Sequence, residues 1–367
     1  MKGKYSVKTL LITGISGFLG SHLALRLQSK YCILGLKRLG SNLWRFDGEN
    51  NNIQFINDLE LLKKYKIDYI IHTATNYGRN GESISQILEA NIIFALQILE
   101  FAQKQGIKTF INCDTLQNPL ASPYCLSKSH LSEYFKYFKT IKIINAKIEH
   151  MYGPKDDENK FICYLINNLM KDKNIELTKG EQMRDFVYID DVISAFESII
   201  YYVDSLDSMD TFEIGSGKQI KLRDFCEKIL IMYNEIMKKP SNANLLFGLK
   251  EYNEFENMNI KADIRALKNM GWIPKTSIDD GIKQTILYYI NNVNRGGVAQ
   301  KYKIAFANIS FFYLWIFTQD YQNSPTFSQD SYLRIYPQIA TKILFRISPQ
   351  ISTKFDKQNL AYLQKVA

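Results

Sequence analysis

Short apolar runs alternate with longer stretches of helical spacing along most of this chain. The first run, Lys8-Thr9-Leu10-Leu11-Ile12, has the length and apolar continuity of a strand buried on both faces. After it come Thr13-Gly14-Ile15-Ser16-Gly17-Phe18-Leu19-Gly20 and then residues 21–28, which read as an amphipathic helix. Four further strands are predicted at 31–38, 53–58, 66–74 and 109–115. Between the last two, residues 83–104 carry Ile84, Ile87, Leu88, Ile92, Ala95, Leu96 and Leu99, the stripe of one long helix. Polar Asn91 lies within that stripe, either as a satisfied core asparagine or as a support that fixes backbone near a ligand. Tyr124-Cys125-Leu126-Ser127-Lys128 opens another helix. The expected fold is α/β, a Rossmann-type doubly wound parallel sheet.

Composition narrows the class. With 367 residues and 46% hydrophobic content, the chain can fill two lobes or one large α/β domain with additions. Lys2 and Lys4 lead into a strand soon interrupted by Gly14, so no signal peptide is expected, and no apolar run is read as spanning a bilayer. Cys32, Cys113, Cys125, Cys163 and Cys226 form no C-x-x-C pair, which predicts free thiols and a cytoplasmic location. His22, His72, His130 and His150 have no metal-ligand spacing, and no metal is expected. The net charge of +9 is uneven: residues 295–367 hold nine Lys and Arg against three acids, leaving the body at +3. A body so near neutrality offers no electrostatic footprint for nucleic acid.

The chemistry begins at the glycine turn. Strand, glycine turn and helix aim the backbone N–H groups of Gly14, Gly17, Phe18, Leu19 and Gly20 at a pyrophosphate. The second strand ends in Lys37 and Arg38, with no acid before Asp47. An acid there would bind the ribose hydroxyls, whereas cations pair with a 2′-phosphate. That favours NADP(H), with NAD(H) still possible if both are only solvated loop charges. Asp58, Leu59, Thr73, Ala74 and Thr75 stand at strand ends, where a cofactor lies. The loop Asn76-Tyr77-Gly78-Arg79-Asn80-Gly81 is either a roof over a substrate or a surface turn. Tyr124 and Lys128, four apart on one helical face, predict a phenol whose pKa an ammonium draws down. Such a phenol exchanges protons with a sugar or alcohol oxygen, which Thr115 can hold.

The pairing of Gly14-x-x-Gly17-x-x-Gly20 with Tyr124-x-x-x-Lys128 resembles the extended short-chain dehydrogenase/reductase family, the NAD(P)-dependent epimerases, dehydratases and reductases of nucleotide-activated sugars. Met151-Tyr152-Gly153-Pro154, residues 182–192, Phe212-Glu213-Ile214-Gly215-Ser216-Gly217 and residues 267–274 are similar to later motifs of that family, so the resemblance runs from about 7 to about 293. It implies a Rossmann domain at 1–150, joined by later strands from 186–217, and a smaller α/β substrate-binding lobe at 151–185 and 218–293. It implies that Tyr124 is the general acid/base, that Lys128 tunes it and binds the nicotinamide ribose, and that Thr115 orients the reacting oxygen. Asn91 would support the cofactor side. Asn76 and His150 would face the sugar, and Arg184 its diphosphate, unless Arg184 only pairs with Asp185 or Asp190. A homodimer through the helices near Ser83 and Tyr124 is also implied.

Leu116 and Gln117 stand where sugar 4,6-dehydratases of the family carry Asp and Glu, which argues against dehydration. The stretches 76–80, 110–115 and 147–157, and the short span from Thr115 to Tyr124, look most like the CDP-abequose and CDP-paratose synthases. That likeness implies NADPH-dependent reduction of a CDP-linked 4-keto-3,6-dideoxyhexose for surface polysaccharide. The alternatives are a 4-epimerase with tightly bound NAD and a non-catalytic dinucleotide-binding scaffold. Residues 294–367 form a basic, aromatic-rich C-terminal extension beyond the resemblance. Its run at 304–317 is either an extension on the body or a weak contact for a membrane surface or a glycosyltransferase.

Overall fold

The first apolar run forms β1 (Thr9–Thr13), buried on both faces along most of its length at the centre of the molecule's main sheet. The computed structural model describes residues 7–46 and 52–292. The strands β2 (Cys32–Leu36), β3 (Ile53–Ile56), β4 (Tyr69–His72), β5 (Thr109–Thr115) and β6 (Lys142–Ile148) follow in chain order. Four short strands come next: β7 (His150–Tyr152), β8 (Ile175–Leu177), β9 (Met183–Arg184) and β10 (Phe186–Tyr188). Then β11 (Thr211–Ile214) completes a seven-stranded sheet of order β11-β6-β5-β4-β1-β2-β3, parallel throughout. The chain moves outward from β1 to β3 and then returns past β1 to β4. That reversal opens a crevice at the carboxyl ends of β1 and β4.

Helices cover both faces, as a buried parallel sheet requires. Alternate residues of β1 feed two cores. Leu10 and Ile12 pack with α1 (Phe18–Leu27) and the later helix at residues 189–202, and Leu11 packs with the helices after β4 and β5. The 83–104 segment begins at a Ser83–Gln86 capping box and has the extent the pattern predicts. It is not one regular helix, however. After the short α2 (Leu59–Leu62), α3 (Ile84–Leu88) and α4 (Phe94–Lys104) are separated by a π-helical turn, Glu89–Ile93. By length and composition Ile84–Lys104 is apolar enough to cross a membrane, which corrects the expectation that no segment is. Its Ala95, Ile98, Leu99, Phe101 and Ala102 are buried in the second core, whereas Ile84, Leu88 and Ile93 are exposed.

Next come α5 (Pro123–Tyr134), α6 (Phe161–Met170), α7 (Ile189–Tyr202) and α8 (Leu222–Met237). Outside the main sheet β10 pairs with β7, β12 (Ile220–Lys221) with β9, and β13 (Leu245–Phe247) with β8. Phe186 stacks on Phe225 with centroids 3.7 Å apart, and both belong to the core that also holds Leu10 and Ile12. These later elements and the main sheet therefore share one hydrophobic interior. The extension and its run at 304–317 lie outside the described residues, as does Asp47.

Candidate active site

At the crevice, Gly14 has φ +65°, and a Cβ there would meet the Cα and N of Ala74 at 2.6 Å. At Gly20 a Cβ would lie 2.5 Å from the Gly14 carbonyl oxygen, so any side chain would force α1 away from the turn. The N-cap of α1, Gly17, supplies no side-chain cap, and no acid stands in the first turn. The positive end of the helix is left open toward the cleft, which suits an anion. The cleft has a volume of about 1530 Å³ and runs from Lys37 and Arg38 past Gly14, Gly17, Phe18, Leu19 and Gly20 to Thr115, Tyr124 and His150. That exceeds the roughly 300–1,000 Å³ of a single small-ligand pocket. A dinucleotide fits the cradle, with room for a second ligand beside it.

The helix α5 starts at the N-cap Ser122, whose hydroxyl accepts from the Cys125 amide, with Pro123 at N1. This start aims Tyr124 and Lys128 into the same cleft. The Lys128 Nζ donates to the Cys113 carbonyl on β5 at 2.8 Å, and burial draws its pKa down. The Tyr124 ring lies against Tyr77 with centroids 4.7 Å apart. Burial, helped by Tyr77, Cys125 and Asp114, pushes the Tyr124 phenol well above its ordinary pKa. The expected depression by Lys128 is thus corrected. The ammonium is committed to a carbonyl, and desolvation holds the phenol neutral. Thr115 closes β5, and its Oγ1 accepts from the Gln117 amide at 3.3 Å, which leaves the hydroxyl proton for a ligand oxygen.

Leu59, Thr73, Ala74, Thr75 and Asn76 line the cleft as their strand-end positions require. Asp58 does not: its carboxylate accepts from the Glu60 amide as the N-cap of α2, and Asn57 takes the lining position. Asn91 is fully buried in the π turn and touches no cleft surface. Its Oδ1 accepts from Thr75 Oγ1 and the Asn76 amide, and its Nδ2 donates to the Asn76 carbonyl and Ser127 Oγ. It is a clamp behind the site rather than a cofactor contact. Arg184 is also displaced from its expected role. It pairs with Glu256 and donates to the Asn257 carbonyl, and it does not line the cleft. Asp185 is equally occupied, accepting from Ser216, Gly217 and Ala262.

Several cleft residues carried no sequence signal beyond a polar side chain in a loop. The Lys160 Nζ lies 5.0 Å from the Phe18 ring centroid and 5.2 Å from that of Tyr77, and bonds Asp156 at 2.9 Å. Burial opposes its charge, but Tyr77 and Asp156 outweigh burial and raise its pKa. Buried Arg45 donates to the Ser16 carbonyl at 2.9 Å and the Lys155 carbonyl at 2.8 Å, tying the glycine turn to the loop after β7. Glu149 sits beside His150 at the cleft wall.

Residues 10–215 match the NAD dependent epimerase/dehydratase family. The CDP-abequose synthase of Salmonella typhimurium is 32% identical over 302 residues, which cover 76% of this chain and 97% of that protein. A dTDP-D-glucose 4,6-dehydratase of Dictyostelium discoideum is 27% identical, covering 78% of this chain and 83% of that one. Among solved structures, the UDP-glucuronic acid 4-epimerase of Bacillus cereus, in complex with UDP-glucuronic acid and NAD, aligns with a TM-score of 0.65 and 25% identity over 76% of this chain and 98% of its own. The family match spans more than half of the sequence, and the chain belongs to the NAD dependent epimerase/dehydratase family.

Proposed function

We propose that this enzyme reduces the 4-ketone of a nucleotide-linked deoxysugar with NADPH, on a CDP-4-keto-3,6-dideoxyhexose or a close relative. The observation that carries the reading is the placement of Thr115, Tyr124 and Lys128 on the cleft that also holds the glycine cradle. A nicotinamide bound there supplies the hydride for C4. Tyr124 then gives its proton to the oxygen that gains charge, and Thr115 holds that oxygen by a hydrogen bond. Lys128 donates to the Cys113 carbonyl beneath the site. Reduction needs a protonated phenol at the start, whereas an epimerase must first take a proton from a sugar hydroxyl. Lys37 and Arg38 on the cleft lining support NADP(H). Leu116 and Gln117 offer no carboxyl for elimination, and the Gln117 amide oxygen is held 3.4 Å from Cys125 Sγ.

The test is NADPH and NADH consumption with CDP-, dTDP- and GDP-linked 4-keto-6-deoxy and 4-keto-3,6-dideoxy sugars. The expected result is stoichiometric NADPH oxidation with a CDP-linked ketone, and loss of the NADPH preference in Lys37→Ala/Arg38→Ala. Protein that purifies with bound NAD and interconverts sugars without added coenzyme would instead establish the epimerase. Failure to oxidise either coenzyme, with dinucleotide still bound, would favour the scaffold.

A further inference from the structure

Neither the cradle nor the proton transfer uses Glu149. It follows β6, its amide donates to the Ile214 carbonyl at 2.9 Å, and its side chain is 0% exposed although the residue lines the cleft. Glu149 Oε1 lies 2.8 Å from His150 Nδ1, and Oε2 has no hydrogen-bond partner. Among the described residues no Lys or Arg pairs with this carboxylate. His150 is 29% exposed on the same cleft, with its ring set edge-on against Phe186 at 5.6 Å. A carboxylate only accepts, so the proton of the shared bond belongs to Nδ1. Nε2 is then the ring nitrogen left for a ligand, and in neutral histidine it is an acceptor. The ring nitrogen left for a ligand therefore accepts, and a sugar hydroxyl donates.

We propose that Glu149 is a positioning residue: it fixes His150 in the Nδ1–H tautomer so that the ring presents an acceptor, His150 Nε2, to a hydroxyl of the bound sugar. This inference rests on the nucleotide-sugar reading for its ligand, but not for its geometry. His150 grips the hexose rather than the nucleotide.

Histidine-selective nitrogen NMR at about pH 9, well above the ordinary histidine pKa of roughly 6.5, tests the tautomer. The chain has four histidines, and a His150→Asn spectrum identifies the His150 signal. The wild type is expected to hold its proton on Nδ1, and Glu149→Leu to release it to the Nε2–H form. A wild-type Nε2–H form overturns the proposal, whatever the substrate proves to be. Calorimetric titration with CDP-glucose, UDP-glucose, CDP and NADPH tests the grip. Glu149→Leu is expected to bind the sugar nucleotides roughly three- to tenfold more weakly, the worth of about one hydrogen bond. CDP and NADPH affinities should stay unchanged. Equal weakening of CDP and CDP-glucose would mean a merely structural role and overturn the proposal. Should Glu149→Leu not fold, Glu149→Gln serves: its amide oxygen keeps the Nδ1 bond, so the tautomer should persist. Its loss there overturns the proposal. A wild type that binds neither sugar nucleotide contradicts the nucleotide-sugar reading, while the NMR result still decides the positioning.

Discussion

Replacing Asn91 with Leu removes the clamp behind the site while nearly conserving volume. Four hydrogen bonds go: to Thr75 Oγ1 at 3.2 Å, the Asn76 amide at 2.6 Å, the Asn76 carbonyl at 2.9 Å and Ser127 Oγ at 2.9 Å. They are not equally costly to lose. The Thr75 hydroxyl lines the cleft and can turn to water. Ser127 keeps its own donation to the Tyr124 carbonyl at 2.6 Å. The amide and carbonyl of Asn76 dominate, at about 1–3 kcal/mol for each group left unpaired in a buried setting. Asn76 is half-buried, so the lower part of that range applies, giving about 2–4 kcal/mol in all. At roughly 2–4 °C per kcal/mol, the melting temperature should fall by about 5–10 °C. Turnover should fall as well, by about tenfold or more, because Asn76 lines the cleft and Ser127 braces the Tyr124 backbone. Asn91→Asp keeps the acceptor for the Asn76 amide and should fall between. Circular-dichroism melts and NADPH oxidation read both effects. A melting temperature within about 2 °C of wild type, with normal turnover, would refute the reasoning.

Other outcomes follow from the same geometry. Gly14→Ala places a non-glycine residue at φ +65° with its Cβ 2.6 Å from the Ala74 backbone, so NADPH affinity by fluorescence titration should drop by about tenfold or more. An unchanged affinity would contradict the cradle. Burial, with the Lys128 charge adding to it, holds the His72 pKa down to about 3. The unfolded chain protonates this group near 6.5 and the native state does not, so stability is complete above 6.5 and is lost as pH falls toward 3. Over that window the loss is on the order of 4 kcal/mol. Urea midpoints of His72→Phe should vary less between pH 7 and pH 4 than those of wild type, and equal acid losses would count against the assignment. Because burial raises the Tyr124 pKa above 10, turnover should show no loss of the phenol proton between neutrality and pH 9. A falling limb centred near neutrality that Tyr124→Phe abolishes would contradict this.

The sequence showed the sheet because its strands are short apolar runs of the kind a covered parallel sheet needs, and Leu10, Leu11 and Ile12 are all wholly buried. The cradle was legible because the steric demands at Gly14 and Gly20 leave glycine as the residue that fits. Local spacing also brought Tyr124 and Lys128 to one cleft, but not the sign of the pKa shift, which depends on burial of the phenol, with Tyr77 adding to it. Asp58 stands directly before a helix, where its Oδ1 takes the capping bond from the Glu60 amide. The ion pair of Arg184 was not legible because its partner, Glu256, lies 72 residues farther along. The π turn was invisible because the apolar stripe runs on through it. Lys160, Arg45 and Glu149 are single polar residues whose meaning comes only from tertiary neighbours.

The most direct measurement of the central claim is single-turnover NADPH oxidation by Tyr124→Phe with a 4-keto sugar nucleotide that the wild type reduces, alongside NADPH affinity. Loss of the proton donor should slow the step by roughly 10²–10⁴-fold while affinity for NADPH stays close to wild type. Turnover near the wild-type rate in that variant would contradict the account.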